Sequence, residues 1–273
     1  VSAALATCAS FPDGDADDAE LPGLLEAEWA VWDDPSVDWE AFDLVVVRST
    51  WDYQQRRDEF LAWARRVPGL VNPSAVLEWN TDKRYLGDLR GAGLPVVDTT
   101  FLEPGEAFTP AGGPYVVKPT VSAGSRDTAR FGPGEEERAR ALVDAIHAGG
   151  RTAMVQPYLH SVDTRGETAL LFFGGSYSHA IRKGPILTPG AEPTTEVFAA
   201  EDISAREPTA AELDLGFLAV EHVGPLAYTR VDVVEDERGR PVILELELTE
   251  PSLFFGHSRG AAQRFADALR VRR

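Results

Sequence analysis

Sulfur is scarce in this chain, with one cysteine, Cys8, and one methionine among 273 residues. A single cysteine excludes an internal disulfide and suits a reducing compartment. Cys8 lies in the small-residue run Ala4 to Ser10 and reads as packed rather than reactive. Long apolar runs are missing too, since no stretch approaches the roughly 18 residues of a membrane span. The N-terminal residues lack the basic start and apolar run of a secretion signal, so a cytoplasmic location is expected. Positive charge is in deficit, with 26 basic against 44 acidic residues and a net charge of −18. Nucleic acid and anionic membrane surfaces are therefore not expected partners. A polyanionic ligand would need a locally basic pocket.

Lysine is the rarest of the charged types. Only Lys83, Lys118 and Lys183 occur, the other basic residues being arginine. A chain that uses arginine almost everywhere can keep lysine where a compact ammonium is required, although drift can also leave three lysines anywhere. What is abundant is ordinary for a soluble globular protein: 44% hydrophobic and 26% charged residues. The length allows two or three lobes around clefts and leaves room for a homo-oligomer.

Hydrophobic patterning predicts an α/β (α+β) protein without internal repeats. A possible strand at Val1 to Ala9 is followed by an acidic loop, a second strand at Glu28 to Trp32 and a third at Leu44 to Val47. The continuous apolar character of the third suits a buried parallel strand. Between the first two there is room for only a short helix. Helices are predicted at Arg57 to Val67, Thr81 to Ala92, Glu135 to Ala148, Ala210 to Val220 and Gly260 to Val271. Further strands are predicted at Val96 to Phe101, Tyr115 to Pro119 and Ala153 to Tyr158. Thr168 to Phe173 pairs with Ser176 to Ile181, and Ala227 to Val234 with Pro241 to Leu248. Three lobes follow, at 1–75, 76–155 and 156–273, the first a small parallel sheet.

Three constellations carry chemistry. Lys118 ends a strand and precedes the small-residue loop that contains Ser122, Gly124 and Ser125. A point charge beside accessible backbone N–H groups suits phosphate oxygens, or the segment is an ordinary strand–turn with a surface lysine. On the last hairpin, Glu245 and Glu247 share one face, and Asp232 with Arg230 lies at the matching place on the partner strand. Gathered carboxylates repel unless a cation sits between them, and hard oxygen ligands suit Mg²⁺. The alternative is the solvated face of an amphipathic hairpin. The strand exit Gln156-Pro157-Tyr158-Leu159 offers backbone groups and an aromatic wall to an adenine edge, with Asp163 and Glu167 placed to take ribose hydroxyls. It also reads as a bare strand end.

Taken in order, these segments from about residue 76 to 273 resemble the ATP-grasp ligases, in particular the branch of glutathione synthetase and the ribosomal-protein glutamate ligase. The resemblance implies a nucleotide held between two α+β lobes. Lys83 and Lys118 would bind ATP phosphates, Ser122 to Ser125 would cover them and Gln156 to Leu159 would hold adenine. Asp232, Glu245 and Glu247 would hold two Mg²⁺ ions. Glu247 departs from the commoner Glu-x-Asn pattern and adds charge. Thr7-Cys8-Ala9-Ser10, Val47-Arg48-Ser49-Thr50-Trp51-Asp52-Tyr53 and Leu246-Glu247-Leu248-Thr249-Glu250-Pro251-Ser252 are similar to actinobacterial ATP-grasp proteins, a group that includes O-ureido-serine cyclo-ligases. That likeness implies an ATP-dependent carbon–nitrogen ligase that activates a carboxylate as an acyl phosphate and closes O-ureido-D-serine to D-cycloserine, an antibiotic. Arg230 and Arg182 would stabilise oxyanions, with Lys183 beside them. Ser10, Arg48, Thr50, Asp52, Tyr53 and Ser252 would recognise the substrate, because open α/β sheets place ligands at strand C-terminal ends. An intermolecular carboxylate–amine ligase and a non-catalytic ATP-binding module remain as alternatives. His257 reads as solvated or capping, and Trp29, Trp32 and Trp39 as packing.

Overall fold

The computed structural model describes residues 2–110, 112–193 and 202–271; Val1, where the first expected strand was to begin, lies outside them. The first sheet is fully parallel, in the order β2-β1-β3-β4, from β1 (Ala3–Thr7), β2 (Ala27–Val31), β3 (Leu44–Val47) and β4 (Leu70–Val71). The crossover between its first two strands is indeed abbreviated, to the five-residue α1 (Leu21–Leu25). Every side chain of β1 and β3 is buried, as unbroken apolar runs in a parallel sheet require. Helix α2 (Arg57–Ala64) packs Phe60 and Trp63 against Trp32, with Trp39 stacked edge-on beyond. Cys8 is buried in the same core.

The helix expected at Thr81 to Ala92 starts later, as α4 (Tyr85–Gly91), and a helix that was not expected, α3 (Ser74–Asn80), precedes it. The chain breaks at Asp82, whose carboxylate accepts the backbone N–H of Arg84 at 3.1 Å and competes with helical bonding. Lys83 therefore sits in a turn rather than opening a helix. The central sheet follows, β5-β8-β6-β7, from β5 (Thr100–Leu102), β6 (Tyr115–Pro119), β7 (Ala129–Phe131) and β8 (Ala153–Pro157), with α5 (Glu136–Ala148) on one face. Val96 makes only an isolated bridge to Ile243, so the strand predicted there begins later.

After the short α6 (Ser161–Arg165) comes an antiparallel sheet, β11-β10-β9-β12-β13. Its strands are β9 (Glu167–Phe173), β10 (Ser176–Lys183), β11 (Ile203–Ala205), β12 (Tyr228–Glu235) and β13 (Pro241–Glu247), and its helices are α7 (Ala210–Val223) and α8 (Ala261–Arg270). Strand alternation assigns the faces. Leu170, Phe172, Val231 and Leu246 pack with α7, whereas Ala169, Leu171, Phe173 and Ile181 pack with α8 and with Leu5 and Val46 of the first sheet. The first and third lobes thus share one core. On this second face the apolar residues give way, toward the central lobe, to charged ones, and that change of character makes the site.

Candidate active site

Register brings the charges together. Asp232 pairs with Glu245 and Arg230 with Glu247 across β12 and β13, Asp232 lies opposite Ala169 on β9, and Lys183 lies opposite Glu167 across β10 and β9. All of these project from one face, and no solvent-exposed hairpin results, because the central lobe stands over them. On β6 the alternation sends Tyr115 and Val117 into that lobe's core, while Val116 and Lys118 face the gap. The gap is a cavity of about 430 Å³, within the usual range for a small-ligand site.

All three lysines reach it. The Lys83 ammonium lies 3.0 Å from Glu245 Oε1 and donates to the Ser122 carbonyl at 2.9 Å. Lys118 lies 3.6 Å from Glu245 Oε2. Lys183 bridges Asp232 at 2.7 Å and Glu167 at 2.9 Å. Arg230 donates through Nε and Nη2 to both Asp232 oxygens, each at 2.9 Å, and also binds Glu247. The turn bearing Lys83 is pinned from both sides. Its backbone N–H donates to the Thr120 carbonyl at 2.9 Å, and the Asn80 amide donates to the Leu246 carbonyl at 2.7 Å.

The electrostatics divide the carboxylates. Burial alone would raise the pKa of Glu245, but Lys83 and Lys118 outweigh it and hold the group down to about 2. Burial pushes Glu247 up to about 7; Arg230 pulls it back, and Asp232 and Glu245 add to the rise. Glu250 is pushed up to about 8 by burial and by the charge of Glu247. Burial lowers the pKa of Lys118 despite Glu245.

Glu245 and Glu247 line the cavity with hard oxygen donors, a set that fits a divalent cation. Asp232, expected as the third ligand, is 1% exposed and has both oxygens taken by Arg230 and Lys183. Among the described residues no three carboxylate, imidazole or thiol groups are set together for a metal.

The remaining expectations divide clearly. Ser122, Gly124, Ser125, Gln156, Pro157, Tyr158, Leu159, Glu167, Arg230, Tyr53 and Ser252 all line the cavity, and Gly124 takes the left-handed backbone, φ 62°, of a tight turn. Other residues assigned to the site lie elsewhere. Arg182, next to Lys183 on β10, points to the opposite face and binds the Arg165 carbonyl and Asp202. Asp163 is held by Arg130 and by the Tyr158 hydroxyl at 2.6 Å, outside the cavity wall. Arg48 is a buried clamp that binds Asp18 at 2.9 Å and the Pro251 carbonyl at 3.0 Å. Asp52 accepts from the Trp32 indole and from Arg56, Thr50 is wholly buried, and Ser10 is exposed in the turn after β1. His257 is exposed. Sequence reasoning left Lys183 undecided and missed Glu250 and Asn80. Strand alternation, which sets Lys183 against Arg182, was the available signal for the first.

The geometry agrees with the comparisons. Residues 3–72 match the model of the D-cycloserine synthetase DcsG N-terminal domain. The cycloserine biosynthesis protein DcsG of Streptomyces lavendulae is 40% identical over 282 residues, covering 93% of this chain and 94% of that protein. The chain belongs to the DcsG family. A crystal structure of D-cycloserine synthetase DcsG superposes with a TM-score of 0.87 at 38% identity, over 100% of this chain and 99% of that one. The ATP-grasp ligase PsnB, solved with a variant precursor, Mg and ADP, superposes with a TM-score of 0.64 at 18% identity, over 99% and 98%, which shows a shared fold. This member of the DcsG family is an enzyme of the ligase class with the ATP-grasp architecture. Among the described residues no helix is long and apolar enough to cross a membrane.

Proposed function

We propose that the chain uses ATP and Mg²⁺ to activate the carboxylate of O-ureido-D-serine as an acyl phosphate; the oxygen-bound ureido nitrogen attacks it, phosphate leaves as the ring closes, and water removes the carbamoyl group as carbamate to give D-cycloserine. The observation that carries the reading is the meeting of Lys83, Lys118 and Lys183 with Glu245 and Glu247 in one cavity. At its apolar end Gln156 to Leu159, with Val116 and Leu244, would take the adenine, and Glu167 the ribose. Lys83 and Lys118 would exchange Glu245 for phosphate oxygens. Glu245, released from them, would join Glu247 in holding Mg²⁺, which when bound neutralises charge on the transferring phosphoryl group. Asp232 orients Arg230, whose guanidinium is the donor placed to stabilise oxyanions on phosphate and carbonyl. The turn at Ser122 to Ser125 would exclude the water that hydrolyses an acyl phosphate.

The test is product formation. ATP, Mg²⁺ and O-ureido-D-serine, with no added amine, are expected to yield ADP and the cyclised product. ADP release only when a separate amine is supplied would favour an intermolecular ligase. ADP release with neither would leave a binding module.

A further inference from the structure

Like Asp15, which already accepts the Asp17 backbone N–H at 2.9 Å, Glu250 lines the cavity without an ion pair among the described residues. It follows β13 by three residues and lines the cavity beside Trp51, Tyr53 and Ser252. The cations that act on it, Lys83 and Arg230, are engaged by Glu245 and by Asp232 and Glu247. Its hydrogen-bonding partner is the neutral hydroxyl of Tyr53. The residue is fixed in place through its backbone, since the Trp51 indole N–H donates to the Glu250 carbonyl at 3.3 Å, and Trp51 is itself held edge-on by Phe11 at 5.0 Å.

A buried carboxyl with no ion pair avoids its charge by holding its proton, and a cationic ligand seated beside it would restore the carboxylate. A second Mg²⁺ would require several hard oxygens free to coordinate it. Around Glu250 lie the Glu247 carboxylate, already paired with Arg230, and the aromatic side chains of Trp51 and Tyr53. A carboxyl beside aromatic side chains, its acidic neighbour already paired, suits a single organic cation. The position also lies on the side of the cavity toward the first lobe, away from the Gln156 to Leu159 end.

We infer that Glu250, oriented by Tyr53, binds the α-ammonium of the amino-acid substrate and makes the enzyme select amino acids over their deaminated counterparts. The inference rests on the proposed carboxylate-activating reading. It assigns to Glu250 a contact with substrate and to Tyr53 a positioning role.

The experiment is a cycle in which both protein and substrate change. Carboxylate-dependent ADP release is measured for the unaltered chain, Glu250→Gln and Tyr53→Phe, with O-ureido-D-serine and with its analogue lacking the amino group. The unaltered enzyme should prefer the amino acid by roughly 100-fold in kcat/KM. Glu250→Gln should reduce that preference to a few-fold, mainly by raising KM. Tyr53→Phe should lower it less and in the same direction. A purely structural defect would depress both substrates equally, so an unchanged preference in Glu250→Gln overturns the inference while leaving the ligase reading intact. So does a preference that is kept while the Mg²⁺ concentration for half-maximal rate rises, the signature of a metal ligand. Absence of ADP release from the unaltered enzyme with any carboxylate overturns both readings.

Discussion

At the scale of single residues, the same kind of side chain serves opposite ends according to where its strand points it. Arg48 and Arg230 both end in buried carboxylate pairs, yet Arg230 borders the cavity and Arg48 joins Asp18 to the loop after β13. Removing one partner of a buried pair leaves the other uncompensated, so Arg48→Ala should cost about 3–5 kcal/mol in urea unfolding. Glu245→Gln also leaves Lys83 and Lys118 without their shared carboxylate, so it should lower the unfolding midpoint as well, though the chain should still fold. The substitution should reduce ADP release on the order of 100-fold or more, as expected when a group that acts on transition-state charge is lost; near-normal release would remove Glu245 from the metal site. His179 supplies a pH dependence. Burial lowers its pKa below the ordinary 6.5, although its Nε2–H donates to the Leu253 carbonyl at 3.0 Å and partly opposes the shift. The depressed value means that its contribution is fully present above pH 6.5 and is lost as pH falls from there through the folded value, because the unfolded chain takes up the proton first. Stability measured between pH 7.5 and 5 should therefore decline on the acid side. His179→Gln should flatten that decline.

The elements explain how a sheet can be both core and active site. The second face of the C-terminal sheet changes character along its strands, from Leu171 and Phe173 under α8 to Glu167 and Asp232 under the central lobe. The opposite face needs close approach by α7, and Gly216 provides it. A Cβ there would lie 2.7 Å from Leu170 Cδ1 and 2.9 Å from Phe172 Cζ. Alanine is the better helix former by up to about 1 kcal/mol, but overpacking a filled core costs about 1–3 kcal/mol. Gly216→Ala is accordingly expected to destabilise, by roughly 1 kcal/mol, in the same unfolding assay. A stabilised variant would mean that the helix can move off the sheet.

For the whole molecule, a ligand in the cavity would add to contacts that already join the lobes. The first and third lobes already share a core, and Asn72 ties them further through bonds to the Tyr228 and Leu248 carbonyls and from the Ala227 N–H. The central lobe meets the charged face mainly across the cavity, through Lys118 and the turn that contains Ser122. Mg-nucleotide bound there should stabilise the fold by about 2.7 kcal/mol at 100 times its Kd. The resulting rise in Tm, roughly 5 °C or more for a chain of this size, should be largely lost in Lys118→Ala. An equal rise in that variant would place the nucleotide elsewhere.

Much of this was readable in one dimension because it depends on local periodicity. The apolar run Leu44 to Val47 suited the buried parallel strand it forms, Tyr115 to Pro119 is the strand expected there, and a lysine so rarely used was kept at three places that all reach the cavity. Pairing was the part that local pattern could not supply. Whether Asp232 meets a metal or two cations, whether Arg48 or Tyr53 of one loop faces the cavity, and whether Glu250 lacks a counter-charge depend on register across strands far apart in sequence and on which lobe covers which face. Side-chain alternation along a strand is set by the backbone; the identity of the neighbour is set by the fold.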